Sequence, residues 1–356
     1  MEACWGDVVQ YRCGWGGLTW KKMRCVCAAM VGLLVVLLNA GWLAAEEPDK
    51  RQRFAGKKVL WVDSYHAGGY EWTAGIERGI RKALRGTGVQ VRILRMNTKW
   101  DLSENSKQHA GLKAKQAIDA WRPDVVIASD DNAARYLVVP YLKNTSLPVV
   151  FCGINWDASP YGFPCSNVTG MIEVEPVETL VAHLRRFAKG ERLGYLSADT
   201  VSERKVVDVY NRRFFSGSMK SYLARDFDHF KELFLRAQNE VDMIYIANYS
   251  DMPGWDSRKV EDFLVRHVRK PTGSRLAYME RFVTFTVAKV PEEQGEYAAK
   301  TALKILGGIS PDAIPVVANE LASLTINLKM AKASGIVLPV STLQVASKVI
   351  GQEAYR

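Results

Sequence analysis

Between Val59 and Ile154, short apolar runs alternate with stretches whose apolar residues recur at helical spacing. Runs rich in β-branched and aromatic residues, each bounded by polar loops, are typical of strands that are buried on both faces of a parallel sheet. The pattern predicts strands at 59–62, 89–97, 124–129 and 148–154, and helices at 71–84, 103–121 and 131–142. Strands that alternate with helices form right-handed βαβ units, so this part of the chain predicts one helix-covered parallel sheet.

A second α/β series follows an extended segment at 167–173 and a helix that begins near Pro176. It predicts strands at 193–197, 221–224, 243–247 and 275–279, and helices at 203–215, 227–239 and 257–269. Two successive sheets of this kind predict an α/β protein with two lobes and a cleft between them.

The last part of the chain continues neither series. We expect helices at 291–306, 326–333 and 340–350, with an extended segment at 316–318. The predicted organisation is therefore a first lobe at 57–155 with parts of 310–350, and a second lobe at 175–280. A return segment at 281–350 would cross between the lobes, for three crossings in all, and end in a C-terminal helix.

The N-terminal 45 residues have the outline of an export signal. Lys21, Lys22 and Arg24 precede an almost uninterrupted apolar segment at 25–45. Such a segment is a secretory signal peptide, or an N-terminal anchor if it is not cleaved, since its length approaches that of a membrane span. We expect a periplasmic or otherwise extracytoplasmic protein that meets the membrane only through this segment.

Charge and cysteine content narrow the function classes. The net charge of +10 is dispersed over the chain, so no nucleic-acid partner is expected. Four of the six cysteines lie in or before the leader, and the other two, Cys152 and Cys165, could form a disulfide or stay as separate thiols. The five histidines lack ligand spacing, so neither a metal site nor a cofactor is expected.

Polar and aromatic residues follow three strands of the first predicted sheet. In an open α/β sheet, ligands bind in the crevice beyond the carboxyl ends of the strands. This mixture of aromatic faces and hydrogen-bonding groups suits a small polar ligand that carries a ring or an apolar portion. The candidate ligand-binding residues are Asp63, Ser64, Tyr65, His66, Tyr70, Trp72, Asp130, Asp131, Asn132, Gly153, Asn155 and Trp156.

Each candidate also has a structural interpretation. Asp130 or Asp131 could cap the helix that follows them, and Tyr70 and Trp72 could pack the helix at 71–84 against the sheet. Asp63 and His66, with Asp131, form the basis of an alternative in which the protein is an enzyme. Because no Ser stands in a Gly-x-Ser-x-Gly turn, binding without catalysis is the favoured interpretation.

Five segments, which occur in order along the chain, resemble those of a known family. They read VLWVDSYHAGGYEWTAGIERGI, DVVIASDDNAARYL, PVVFCGIN, NVTGMIEVEPVETL and INLKMAKASGIVLP. From about Lys57 to Ile350, the chain resembles the ABC-transporter substrate-binding proteins, a family also found as extracytoplasmic sensor domains of bacterial histidine kinases.

The resemblance implies a two-lobed type I periplasmic binding protein fold with three crossovers. It implies capture of a small molecule in the interlobe cleft and delivery to an ABC permease, the alternative being a ligand sensor that partners a membrane signalling protein. In this fold the second lobe supplies the opposing wall of the cleft. By position, the second-lobe candidates are Asp199, Asn248, Tyr249 and Glu280.

Overall fold

The computed structural model describes residues 53–68, 70–249 and 252–352. Two sheets of mainly parallel strands, each flanked by helices, account for these residues and confirm the predicted α/β fold class. The predicted export signal at 1–45 lies outside the described residues. Within the part of the chain that is described, no helix is both long enough and apolar enough to cross a membrane.

The first sheet is entirely parallel and has the strand order β11-β5-β4-β3-β1-β2. Its strands are β1 (Lys58–Asp63), β2 (Gln90–Arg95), β3 (Val125–Ser129), β4 (Val149–Asn155), β5 (Val168–Glu173) and β11 (Val317–Ala318). Its helices are α1 (Glu71–Leu84), α2 (Glu104–Trp121) and α3 (Asp130–Ala133), the last of which continues as a π-helix at Ala134–Leu142. The predicted N-cap of α2, Ser103, accepts a hydrogen bond from the backbone N–H of Ser106.

Alternate residues of the central strands enter two different cores. In β1, Val59 and Trp61 pack with α1 and with α8 (Pro291–Leu306), whereas Leu60 and Val62 pack on the opposite face with α2 and the π-helix. Successive residues point to opposite faces of the sheet, and both faces are covered by helices. Each strand is therefore an unbroken apolar run.

The two cysteines lie on opposite faces of the first sheet. Cys152, in β4, lies in the core beneath α1 and α8, whereas Cys165, in the loop before β5, packs against the core on the other face. Both thiols are free, so the disulfide that their spacing suggested is not formed.

The second sheet has the order β13-β12-β10-β9-β8-β6-β7, and only the β10–β12 pair is antiparallel. Its strands are β6 (Leu193–Ala198), β7 (Lys220–Ala224), β8 (Met243–Ile246), β9 (Thr272–Ser274), β10 (Phe285–Lys289), β12 (Ala322–Asn327) and β13 (Lys348–Ile350). Its helices are α4 (Val177–Arg185), α5 (Val201–Tyr210, extended by a π-helical turn at Asn211–Phe215), α6 (Phe227–Glu240), α7 (Ser257–His267), α9 (Leu328–Ala333) and α10 (Val340–Gln344).

The chain crosses between the two sheets three times, as predicted. The crossings follow β5 at 174–176, β10 at residue 290 and β11 at 319–321. After the second crossing, α8 returns to the first sheet and packs along α1. This contact is so close that a Cβ atom at Gly295 would lie 2.0 Å from the carbonyl oxygen of Ile76.

Two predicted elements near the C-terminus are wrong. The segment 275–279 is not a strand, because β9 ends at Ser274 and a 3-10 turn follows at Ala277–Met279. The terminal helix predicted at 340–350 is the short helix α10 followed by β13, and the helix predicted at 326–333 begins two residues later, after β12. β12 and β13 are short and bordered by polar residues, so their apolar pattern does not distinguish them from helices.

Candidate functional site

A cavity of about 400 Å³ opens where the carboxyl ends of strands from both sheets meet. This volume lies within the usual range for small-molecule sites. The first lobe and α1 supply Tyr65, Tyr70, Glu71, Trp72, Lys99, Asp130, Asn155 and Glu173. The second lobe and the second crossing supply Arg275, Leu276, Ala277, Ala288, Lys289 and Pro291.

Aromatic rings form one wall of the cavity. Tyr65 follows β1, and its ring centroid lies 5.6 Å from that of Tyr70, just before α1. The Lys99 ammonium lies 4.6 Å from the Tyr65 ring centroid and 5.0 Å from that of Tyr70. Trp72, in the first turn of α1, adds a third ring, with the Lys289 ammonium 4.9 Å from its centroid. Together the three rings offer flat apolar surface to a ligand, and the two lysines beside them add positive charge.

Asp130 is the buried acid of the cavity. It follows the last residue of β3 in a left-handed conformation, with φ of 70°, and its residue surface is 3% exposed. The Trp72 indole Nε1–H donates a hydrogen bond of 3.1 Å to Asp130 Oδ1, and no described residue partners Oδ2. Burial raises the pKa of the Asp130 carboxyl well above its usual range, and the nearby acids Glu173 and Asp63 raise it further.

Gly153 makes room for this carboxyl group. A Cβ atom at Gly153 would lie 3.1 Å from Asp130 Oδ1, and the glycine itself has a φ of +72° that disfavours other residues. Its backbone N–H donates to the side-chain oxygen of Gln294 in α8 at 2.9 Å. Gly153 therefore shapes the site through its backbone and does not line the cavity.

Four charged residues form a chain of ion pairs beside the first two crossings. The Lys289 ammonium donates to both Glu173 and Glu175, the latter at 2.8 Å, and Arg275 donates to the same Glu175 oxygen at 2.9 Å. Their side chains are between 7% and 17% exposed. Burial raises the pKa of Glu173, and Lys289 opposes that rise. The second oxygen of Glu175 and the Nε of Arg275 have no partner among the described residues.

Asp63 and Ser64, although predicted to bind ligand, serve the interior of the first lobe. Asp63 is fully buried, pairs with Arg95 and accepts the Tyr65 N–H at 3.1 Å. The Ser64 hydroxyl donates to the carbonyl of Ser129 at 2.6 Å and accepts the Ala133 N–H at 2.8 Å. Their hydrogen bonds hold the ends of β1, β2 and β3 together and so position the loop that carries Tyr65.

Three other predicted first-lobe residues also lie behind the cavity wall. His66 packs its ring against Tyr70 and Trp100, with centroid distances of 5.5 and 5.3 Å. Asp131 accepts hydrogen bonds from the Asn155 side chain at 2.7 Å and from the Tyr161 hydroxyl at 2.8 Å. Asn132 donates to the Thr98 hydroxyl at 2.8 Å.

Trp156 joins the two lobes away from the cavity. It directly follows β4 of the first sheet, with φ of 62°. Its ring lies 6.3 Å from Tyr210 and 5.8 Å from Phe214 of the second lobe, and the Arg213 guanidinium lies 4.9 Å from its centroid. Trp156 is therefore an interlobe packing residue in this structure.

The four second-lobe candidates lie outside the cavity. Asp199 pairs with Arg204 at 2.6 Å, and Glu280 pairs with Lys348 of β13 at 2.7 Å. Asn248 accepts the Tyr278 hydroxyl at 2.9 Å, and the Tyr249 ring stacks on Trp255 with a centroid distance of 4.2 Å. The cavity is lined on this side by Arg275, Leu276 and Ala277, which follow β9.

Sequence reasoning missed the charged residues at the crossings. The apolar pattern places Arg275 at the first position of the strand predicted at 275–279 and places Lys289 in no predicted element. One signal was present in the sequence, since Glu173 and Glu175 flank the end of an apolar strand just before Pro176. Two acids at the end of a buried strand indicate that a neighbouring segment supplies cations, because buried carboxylates are unfavourable unless they are paired.

The lining of the cavity combines aromatic, apolar and charged side chains. None of its fourteen described residues is a serine, cysteine or histidine. Across the described residues, no group of three or more His, Cys, Asp or Glu side chains could hold a metal ion. The arrangement offers ring surfaces, paired charges and a few unpartnered polar atoms, which are the elements of a recognition site.

Comparison with known proteins agrees with this geometry. A family model described as ABC transporter substrate binding protein matches residues 272–350. No curated protein matches the chain. The resemblance noted in the sequence is thus confirmed, and the family it points to is one of extracytoplasmic substrate-binding proteins.

Several solved structures share the fold. One is an ABC domain in complex with L-Trp from Streptococcus pneumonia, with 18% identity, 83% of this chain and 99% of that chain covered, and a TM-score of 0.51. Another is a ligand-free, open substrate-binding protein with adhesive properties from Clostridium difficile, with 15% identity, 83% and 100% covered, and a TM-score of 0.64. A conserved domain protein from Vibrio cholerae has 16% identity, 83% and 99% covered, and a TM-score of 0.51. The chain has the two-sheet α/β fold of periplasmic binding proteins.

Proposed function

Starting from this resemblance, we propose that the protein captures a small organic molecule in the cavity between its lobes and delivers it to an ABC transporter. The segment at 1–45 exports the protein from the cytoplasm, and capture of the ligand takes place outside the cytoplasm. Delivery to a transporter is supported by the substrate-binding family model that matches residues 272–350.

The observation that carries the proposal is the composition of the cavity wall. One lobe presents the rings of Tyr65, Tyr70 and Trp72, and the other presents Arg275, so a ligand would contact both lobes at once. A ligand that touches both lobes stabilises their closed arrangement, because only that arrangement makes all the contacts. Exposed ring surfaces favour a ligand with a flat portion, a description that L-Trp, the ligand in the Streptococcus pneumonia structure, also meets.

A thermal-shift screen of the purified protein tests this function. The panel contains amino acids, nucleosides, sugars, peptides and organic acids. A compound present at a hundredfold excess over its Kd should stabilise the folded state by about 2.7 kcal/mol. Binding of one chemical class, saturable and reproduced by calorimetry, is the expected result.

Two tryptophan variants locate the binding site. Trp72→Leu removes a ring that lines the cavity and should abolish the ligand-induced shift. Trp100→Leu is the matched control, because Trp100 is 70% exposed and does not line the cavity, and it should retain the shift. If no class of compound binds, and mass spectrometry of the denatured protein finds no bound molecule, the proposed function is wrong.

A further inference from the structure

The environment of Asp130 specifies part of the ligand. Oδ1 accepts the Trp72 N–H, and Oδ2 lies buried without a partner among the described residues. The residue lines the cavity and is held in a left-handed backbone conformation, which an L residue adopts only at some energetic expense. A buried polar atom without a partner is a place where a ligand can supply the missing hydrogen bond.

The charges around Asp130 indicate what kind of donor fits. Three other acids interact with it electrostatically and raise its pKa: Asp63 at the end of β1, Glu173 at the end of β5, and its neighbour Asp131. Asp63 is already paired with Arg95. Glu173 is paired with Lys289, and Asp131 accepts hydrogen bonds from Asn155 and Tyr161.

Asp130 is thus the acid of this group that has neither a cation nor a full set of donors from the described residues. A neutral hydroxyl would supply a hydrogen bond but would leave an ionised Asp130 without a counter-charge. A cationic nitrogen supplies both, and its hydrogen bond to a carboxylate is about twice as strong as a neutral one.

Resting on the proposed function, we infer that the transported ligand carries a protonated amine, and that Asp130 Oδ2 accepts a hydrogen bond from it. In the empty protein the buried carboxyl group holds a proton, since an unpaired buried charge is unfavourable. Binding of the ammonium group replaces that proton, which leaves to solvent. One N–H···O hydrogen bond forms, and one proton is released for each ligand bound.

Matched pairs of compounds with and without the amine test the inference on the full chain by titration calorimetry. The pairs are L-tryptophan and indolepropionate, L-phenylalanine and phenylpropionate, and L-leucine and isocaproate. We expect at least one amine to bind, with its amine-free partner weaker by about tenfold or more, the usual loss when a hydrogen bond to a charged group is removed.

Asp130→Asn assigns the effect to the carboxylate. Asparagine tolerates the left-handed conformation, so the variant should fold. It should bind the amine at least about tenfold more weakly and leave the affinity for the amine-free partner unchanged. Asp119→Asn is the control, because it removes the same charge from an exposed pair with Lys115 in α2, and it should leave both affinities unchanged.

The pH dependence of the affinity for the amine distinguishes a direct contact with Asp130 from a purely structural role of this residue. Below the pKa of Asp130 in the empty protein, the affinity for the amine should rise with pH, by up to about tenfold per unit. Titrations in buffers of different ionisation enthalpy should show proton release in the wild type and none in Asp130→Asn.

Three results would overturn the inference. They are equal affinity within the pairs, an Asp130→Asn variant that does not distinguish them, and a panel in which no amine binds. If compounds without an amine bind in the wider thermal screen, the inference fails and the proposed function stands. If nothing of any class binds, both fail.

Discussion

Lys289→Met removes the cation at the centre of the ion-pair chain. The Lys289 ammonium donates to Glu173 and to Glu175, and its side chain is only 17% exposed. Methionine has a similar length and flexibility but no charge, so it fills the same space beside the Trp72 ring. The variant therefore isolates the electrostatic role of Lys289 from its packing.

The expected loss of stability follows from what the two acids retain. Glu175 keeps Arg275 as its partner at 2.9 Å, whereas Glu173, at 7% exposure, keeps no cation. Removing one partner of a buried ion pair destabilises a protein by about 3–5 kcal/mol. Because one acid stays paired and Lys289 retains some contact with water, we expect about 3 kcal/mol near neutral pH.

The loss should shrink as the pH falls. Burial already raises the pKa of Glu173 above its ordinary value of 4.5, and removal of Lys289 raises it further. A carboxyl group with a raised pKa in the folded state binds protons more tightly when folded. The folded state therefore loses stability as pH rises from the ordinary value through the raised one. Below that window Glu173 is neutral and no longer needs Lys289.

Urea denaturation of the wild type and the variant, near neutral pH and at about pH 5, measures both effects. Lys300→Met is the control, because Lys300 pairs with Glu296 on the exposed face of α8 and should contribute less than about 0.5 kcal/mol. A loss no greater than that of the control, or an equal loss at both pH values, would refute the compensation of Glu173 by Lys289.

Three further changes probe the scaffold. Gly295→Ala places a Cβ atom 2.0 Å from the Ile76 carbonyl oxygen. It should lower the free energy of unfolding by about 1–2 kcal/mol, because overpacking outweighs the gain in helix propensity. An unchanged melting temperature would contradict this. Asn167→Ala removes three hydrogen bonds of a buried side chain and should lower the free energy of unfolding by about 2–3 kcal/mol in urea titrations. A loss below about 1 kcal/mol would argue against their importance. Peptide mapping after native thiol labelling should find Cys165 modified and Cys152, which is fully buried with a raised pKa, protected until unfolding; a peptide that links the two would contradict the free thiols.

Strands buried on both faces could be predicted from the sequence. In β3 and β4, consecutive apolar residues enter opposite cores, so each strand reads as an unbroken run. The helix α8 was predicted with its observed bounds, because Pro291 suits a first helical turn and Gly307 suits an end. These elements carry their signals locally.

β9 could not be predicted, because its residues are Thr, Gly and Ser. Thr272 and Ser274 are fully buried. The Thr272 hydroxyl lies 3.3 Å from that of Thr284 and accepts the Thr284 N–H at 3.0 Å. A strand whose polar side chains are satisfied by a neighbouring strand has no apolar pattern to detect. The displaced strand also concealed Arg275, which directly follows it.

More first-lobe than second-lobe candidates line the cavity. Those that do are Tyr65, Tyr70, Trp72, Asp130 and Asn155. Their neighbours Asp63 and Ser64 do not, because Asp63 pairs with Arg95 and the Ser64 hydroxyl hydrogen-bonds to the backbone of Ser129 and Ala133 inside the lobe. Sequence order identifies the right loop, but only the backbone decides which of its residues face the cavity.

Asp130 and Lys289 should respond to substitution in opposite ways, although Glu173 interacts with both. Asp130→Asn removes an unpaired buried carboxyl group, so it should leave stability unchanged or higher while the affinity for an amine falls. Lys289→Met leaves Glu173 without its cation, so stability should fall. The change also keeps or increases the negative potential around Asp130, so the affinity for an amine should be maintained. Measuring melting temperature and Kd for both variants separates recognition from support, since a parallel loss of both quantities in either variant would contradict this division of roles.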